Sequence, residues 1–261
     1  PMLPQLADDF GTSISAASMV ITWFALAYTV GQLIYGPLGD RFGKLRVVTL
    51  SLFAAAVGSA GCALAQDLGS LTALRFLTAL FASSPVTLGM AYIGDQVPIA
   101  ERQSVIARFI VGSIVGQALG PLVGGLFTDL FGWRGTFLFL GAVFAAVSSV
   151  LFLRTGRHWA GSGRASSGGN PYTVHLRLLA VPRVRYVVAA AFANTFFFFG
   201  AYSFLGAFLR LKFDLSLTLI GALLAGVGFG SLLYTLVVGR LLHALGQRGL
   251  VAWGGAICCG C

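Results

Sequence analysis

An all-α bundle that crosses a membrane many times is the predicted fold class, and three observations predict it. Hydrophobic residues make up 57% of the 261 and charged ones only 10%, with a mean hydropathy of +0.88. Ordinary soluble domains carry about 25% charge. Apolar runs long enough to cross lipid recur along the whole chain. Arginine and lysine collect in alternate connections between those runs. Inside hydrocarbon every backbone donor and acceptor must be satisfied within the protein, which selects helices. About 20 residues at 1.5 Å each span the core, and the ten-residue alternation of a membrane β-barrel is absent.

Residues 1–13 read as a loop carrying the adjacent acids Asp8 and Asp9. Spans are predicted at 14–35, 47–65, 70–94, 105–127, 135–153, 184–209 and 217–238, with a short segment from 249. The first run is too long for a signal peptide and is followed by further spans. The chain opens on Pro rather than Met, and Gly249 to Cys261 is too short to span, so a piece of a longer protein is expected. Three parts follow: a first helical bundle over 1–153, a linker over 154–183 and the start of a second bundle over 184–261. The linker has a Gly/Ser-rich centre from Gly161 to Gly169, basic flanks and no acid. Such a composition is flexible, and anionic headgroups would attract its arginines. A plain tether is the simpler alternative.

The net charge of +9 has two physical explanations, a nucleic-acid surface or the positive-inside rule. Alternation decides between them. One set of connections holds Arg41, Lys44, Arg46, Arg102, Arg108, Arg154, Arg157, Arg164, Arg177, Arg183, Arg185, Arg240 and Arg248. The other set holds Arg134, Arg210 and Lys212, and Arg75 lies within a span. The basic set, with the linker, is therefore expected on the cytoplasmic side of a plasma membrane, and no nucleic-acid partner is expected. Cys62, Cys258, Cys259 and Cys261 have no metal-ligand spacing. His158, His175 and His243 have no nearby carboxylate in sequence. No enzyme, no cofactor and no metal site is expected.

Three stretches stand out. In Gly36-Pro-Leu-Gly-Asp40-Arg41-Phe-Gly43-Lys44-Leu-Arg46, glycines permit a tight turn. There Asp40 could accept hydrogen bonds at a helix N-terminus, where the dipole favours negative charge. The connection after the seventh span echoes it, with Gly239 and Gly246 seven apart as are Gly36 and Gly43. Gly112, Gly116, Gly120 and Gly124 recur every four residues, followed by Pro121 and Gly125. Small residues at that spacing let another helix approach closely, and Gly226 with Gly230 offers a partner face. Arg75 lies about six residues into an apolar span, where a charge costs about 3 kcal/mol on insertion scales. It either faces a partner or cavity, or snorkels outward. Polar residues within the spans are few: Gln32, Gln117, Asn194, Thr195, Tyr28 and Tyr202 could line a cavity with the Phe196–Phe199 run beside it.

These stretches resemble the major facilitator superfamily. The Gly36–Arg46 segment is similar to its G-x-x-x-D-R-x-G-R/K-R/K signature, a conformational latch in that family. The resemblance implies that Gly36, Asp40, Arg41, Gly43 and Lys44 form this latch and that Asp95 is the acid partner of Arg41 or Lys44. Gly116-x-x-x-Gly120-Pro121-x-x-Gly124-Gly125 resembles the motif of the antiporter branches. Arg75 resembles the arginine of an R-x-x-x-G motif, with Ala79 in place of Gly and Thr78 where Gln is common; Pro85 adds an expected kink. The resemblance implies two six-helix halves, of which the first span and the last three or four are missing here. It also implies a monomer that works by alternating access, with a small-molecule substrate and protons as partners. Proton-coupled efflux of amphipathic compounds across a bacterial inner membrane is the expectation; nutrient uptake and a non-transporting sensor are the alternatives.

Overall fold

The computed structural model describes residues 2–156 and 180–260. The linker centre at 161–169 lies outside the described residues. Among the described residues the elements are α1 (Leu3–Asp9), α2 (Ile14–Phe42), α3 (Lys44–Ala63), α4 (Leu68–Ala82), α5 (Ser84–Gln96), α6 (Ile99–Thr155), α7 (Pro182–Phe213) and α8 (Leu217–Gly260). No strand occurs among them.

Local chemistry sets the ends. Ser13 caps α2, its Oγ accepting from the Ala16 N–H at 3.1 Å. Asp67 and Ser70 form a reciprocal capping box at the start of α4, with Ser70 N–H 2.8 Å from Asp67 Oδ1. That N–H holds the exposed Asp67 carboxyl below the usual carboxylate range. The 70–94 span is interrupted at Ser83, between α4 and α5. Pro85 follows in the first turn of α5 and has no N–H to donate back to Phe81.

Two long helices are each interrupted by a single glycine. In α6 the backbone leaves helical geometry at Gly132 (φ 70°, ψ 176°), and in α8 at Gly246 (φ 66°, ψ 171°). This region is essentially restricted to glycine, so one residue breaks and kinks the helix. Gly43 does the same between α2 and α3 at φ 91°. The echo between the connections at Gly43 and Gly246 thus extends to the backbone. We expect Gly132→Ala to lower stability by about 1–3 kcal/mol, read as an earlier midpoint in a denaturing-detergent titration. Gly200→Ala is the control, since nothing lies within 4 Å of where its Cβ would sit; equal effects would refute the backbone argument.

The structure also differs from expectation at the start of the chain and at the first turn. Residues 1–13 are not a plain loop, because α1 buries Leu3, Leu6 and Ala7 against Val20, Leu71 and Trp133. Apolar packing orders this short segment. The turn after the first span is also narrower than two glycines suggested. Helix α2 continues through Gly36, Pro37 and Asp40 to Phe42, and Gly43 alone breaks it. Asp40 therefore sits in the last turn of a helix, not at a helix N-terminus.

Helix α2 packs on α4 and α5, and α3 packs on α4, α5 and α6. Helix α6 also packs on α8, and α7 meets the rest chiefly through α8. Two apolar clusters hold the first bundle. One, around Leu71, Trp133 and Phe137, lies at the Trp133 end. The other, around Tyr35, Val48, Leu52 and Leu88, lies toward the Lys44 end. Buried hydroxyls join the helices between them: Ser51 bonds Ser84 at 2.6 Å, and Ser148 donates to the Thr49 carbonyl at 2.8 Å. Outward faces remain apolar, as lipid requires; no part of the apolar window of α7 is buried.

Candidate functional site

The first constellation centres on Lys44, the first residue of α3. Its ammonium pairs with Asp40 Oδ1 at 3.2 Å and with Asp95 Oδ2. The Lys44 side chain is only 15% exposed, whereas both carboxylates are about half exposed. Gly39 makes room for this, since a Cβ there would strike Leu88 and lie 3.3 Å from Lys44 Cγ. Arg102 donates to the Gly94 carbonyl at 2.7 Å, fixing the end of α5 beside Asp95. Gly43 is the buried turn residue itself. Arg41 lies outside the cluster, its guanidinium 5.2 Å from the Phe42 ring centroid, and Gly36 faces open space. Lys44, Asp40 and Asp95 all belong to the first bundle. The cluster ties α2, α3 and α5 to one another rather than one bundle to the other.

The second constellation is the joint between α6 and α8. A Cβ on Gly125 would collide with the Leu217 carbonyl oxygen and lie 2.8 Å from its carbon. One on Gly221 would collide with the Pro121 carbonyl and lie 2.9 Å from Leu122 Cα. One on Gly228 would collide with the Ala118 side chain and lie 2.9 Å from its backbone nitrogen. The two backbones therefore approach through Ala118, Pro121 and Gly125 on one side and Leu217, Gly221 and Gly228 on the other. Gly112, Gly116, Gly120 and Gly124 have nothing within 4 Å of a would-be Cβ, nor do Gly226 and Gly230. The partner face is one step around the helix from the one expected.

Arg75 is half-buried two turns into α4, with its guanidinium carbon 4.0 Å from the Phe24 ring centroid and 5.2 Å from that of Phe137. Its Nε has no hydrogen-bond partner among the described residues. It is held by ring faces rather than extended outward. Thr78 and Ala79 are buried one turn on, and Thr78 Oγ1 donates to the Leu74 carbonyl. Gln32, Gln117 and Asn194 are exposed, and no hydrogen bond among the described residues joins them. Tyr202 is half-buried and donates to the Leu224 carbonyl at 3.2 Å. Phe196, Phe197, Phe198 and Phe199 are all exposed. An open apolar groove of about 790 Å³ runs between α2 and α4, lined by Met19, Trp23, Leu68, Thr72 and Phe76 among others.

Sequence reasoning missed the polar contacts at the Trp133 end. Trp133 Nε1 donates to Asp9 at 2.6 Å, and Arg134 donates to the Ala65 carbonyl at 3.1 Å. Asp129 Oδ2 accepts from the Thr218 N–H at 2.6 Å and the Thr218 hydroxyl at 2.7 Å, while Oδ1 accepts from Leu217 N–H at 3.3 Å. Asp129 and Leu217 stand 88 residues apart, and nothing local in either segment announces the pairing.

Comparison with known proteins agrees with this architecture. The uncharacterized MFS-type transporter YwfA of Bacillus subtilis (strain 168) is 28% identical over 257 residues, covering 95% of this chain and 60% of that protein. The efflux pump FUBT of Fusarium oxysporum is 32% identical over 151 residues, 58% of this chain and 25% of that protein. The riboflavin transporter RibZ of Clostridioides difficile (strain 630) is 32% identical over 137 residues, 52% of this chain and 30% of that protein. The chain thus spans between a quarter and three-fifths of the length of these relatives. The crystal structure of a peptide transporter, POT, in complex with sulfate shares the fold. It matches with a TM-score of 0.55 at 19% identity over 81% of this chain and 46% of that one. The Major Facilitator Superfamily model matches residues 1–261, and with this helical bundle and these relatives the chain belongs to that superfamily, a family of transporters rather than enzymes.

Proposed function

We propose that the chain is the membrane-embedded body of a secondary transporter that works by alternating access and exports small amphipathic compounds in exchange for protons. The observation that carries this is the joint between α6 and α8. Backbone meets backbone at Gly125, Pro121 and Gly221, with no bulky side chain interposed. Small-residue contacts of this kind allow two bundles to pack closely and tilt as rigid bodies. The bundles are residues 1–153 and 184–261. The basic connections face the cytoplasm by the positive-inside rule, which places the Lys44 cluster there and the Trp133 end outside. Lys44, with Asp40 and Asp95, stiffens the cytoplasmic end of the first bundle, so that tilting is transmitted instead of absorbed.

Efflux pumps among the relatives support the outward direction, and the apolar groove beside Trp23 and Phe76 suits an amphipathic solute. Arg75, held against the rings of Phe24 and Phe137, is the coupling residue in this reading. Gln32, Gln117, Asn194 and Tyr202 supply polar contacts where the solute passes. The protein acts as a monomer in a bacterial inner membrane. A riboflavin transporter among the relatives supports a second reading, in which the solute is a nutrient taken up with protons or by facilitation.

Sealed vesicles carrying the chain, loaded with a fluorescent amphipathic dye, separate these readings. Dye movement driven by an imposed pH gradient is the expected result, with Asp40→Asn abolishing it while membrane insertion persists. Exchange that ignores the gradient would instead indicate facilitation, and binding without flux would indicate a sensor.

A further inference from the structure

Four N–H groups at the start of any helix lack intrahelical acceptors. At the start of α8 these donors are met from two places. Ser216, immediately before the helix, accepts from Leu219 N–H at 3.2 Å through its hydroxyl, and its carbonyl accepts from Ile220 N–H at 3.0 Å. Local residues do not satisfy Leu217 and Thr218. Both N–H groups, and the Thr218 hydroxyl, donate to Asp129 on α6. A capping carboxylate is an ordinary device at a helix N-terminus, where the dipole adds to the hydrogen bonds. Here the cap belongs to the other bundle.

The position gives this cap a mechanical consequence. Asp129 lies one turn beyond Gly125, at the end of the α6–α8 joint and on the side opposite the Lys44 cluster. The joint itself is apolar and offers no directional bond at Gly125, Pro121 or Ala118. Separation at the Trp133 end would strip three donors of their acceptor and leave an uncapped helix and a bare carboxylate for water to re-solvate. Arg210 on α7 is engaged with the Leu215 carbonyl at 2.7 Å and with Asp214 at 3.5 Å, and it adds only a through-space attraction for Asp129, with no ion pair between the two among the described residues. Arg134, beyond Gly132, is directed to Ala65 and Asp9.

We propose that Asp129 is an interbundle clasp, a positioning residue that acts through the N-terminus of α8 and sets the fraction of molecules closed at the Trp133 end. The proposal rests on the alternating-access reading. In that cycle the clasp is closed when the Lys44 end admits solute and is broken when the Trp133 end opens.

Spin-label distances test it, with the native cysteines replaced and the chain in lipid nanodiscs. One label pair, at Leu64 and Phe213, reports the Trp133 end; another, at Ile99 and Tyr186, reports the opposite end. All four side chains are exposed. Two distance populations are expected at each end, exchanging reciprocally. Asp129→Ala should reduce the population closed at the Trp133 end about fivefold, the usual scale for loss of a helix cap. Asp129→Asn, which retains an acceptor oxygen, should fall between, and Thr218→Val, which leaves the carboxylate and both N–H groups, should give a smaller shift in the same direction. A purely structural cap would instead lower the inserted amount without changing the ratio. Two populations in the wild type whose ratio is untouched by Asp129→Asn and Thr218→Val overturn the clasp alone. A single fixed distance at both ends overturns the rocking reading and the clasp with it.

Discussion

Gly221→Ala should slow transport at least tenfold, and Gly125→Ala should do the same, while Gly120→Ala should leave the rate near that of the wild type. The reason is what each new methyl group would meet. At Gly221 the neighbours are the Pro121 carbonyl and the Leu122 Cα, and at Gly125 they are the Leu217 carbonyl oxygen and carbon. These are backbone atoms inside helices, so no rotamer change can move them aside. The helices must separate along the joint, and overpacking of this kind costs about 1–3 kcal/mol. At Gly120 nothing lies within 4 Å, and alanine is the better helix former by about 1 kcal/mol. Dye efflux from vesicles measures the rates, and matched membrane levels exclude loss of protein. The opposite ranking, with Gly120→Ala inactive and Gly221→Ala normal, would place the joint on the other face and remove the basis for the proposed motion.

That ranking shows what the sequence could and could not disclose. The spans were legible because hydropathy needs no partner: 105–127 and 135–153 fall on either side of the break at Gly132, and 217–238 lies wholly inside α8. The glycine face was harder. A strict four-residue repeat advances about 40° around an α-helix at each step, so Gly112 and Gly124 do not share a stripe. Ala118, Pro121 and Gly125, spaced three and four apart, do. Periodicity pointed to a close approach, but its phase depended on α8, which no local pattern could supply. The same holds for Asp129, whose donors arrive from 88 residues away, and for α1, whose few apolar residues are ordered by packing on distant partners such as Leu71 and Trp133. Lys44 and Asp95 were paired through family resemblance. Asp40, Lys44 and Asp95 all fall within residues 1–153, so their cluster belongs to one bundle by sequence alone; what no sequence feature indicated is where the contact between bundles is made.

This location makes Lys44 the second residue whose replacement should have a large effect. Its ammonium is the shared counterion of Asp40 and Asp95, and it is shielded while they remain half in solvent. Exposed ion pairs contribute about 0.2–1 kcal/mol, and breaking a buried one costs about 3–5 kcal/mol. Lys44 falls between these limits. Lys44→Met should therefore destabilise the end of the first bundle by about 1–2 kcal/mol, because two carboxylates are left facing each other. Lys44→Glu adds a third acid and should do more, slowing dye efflux by more than tenfold. Charge order can be separated from side-chain shape by exchanging the partners: Lys44→Asp with Asp95→Lys should recover a substantial part of the lost rate, whereas either change alone should not. High salt should weaken the wild-type protein only modestly, since the Lys44 side chain is largely withdrawn from water. Wild-type efflux from Lys44→Glu would reduce the cluster to an incidental surface pair. Recovery in the exchanged double variant would instead identify opposite charge across the ends of α3 and α5 as what keeps the first bundle rigid enough to move as one body.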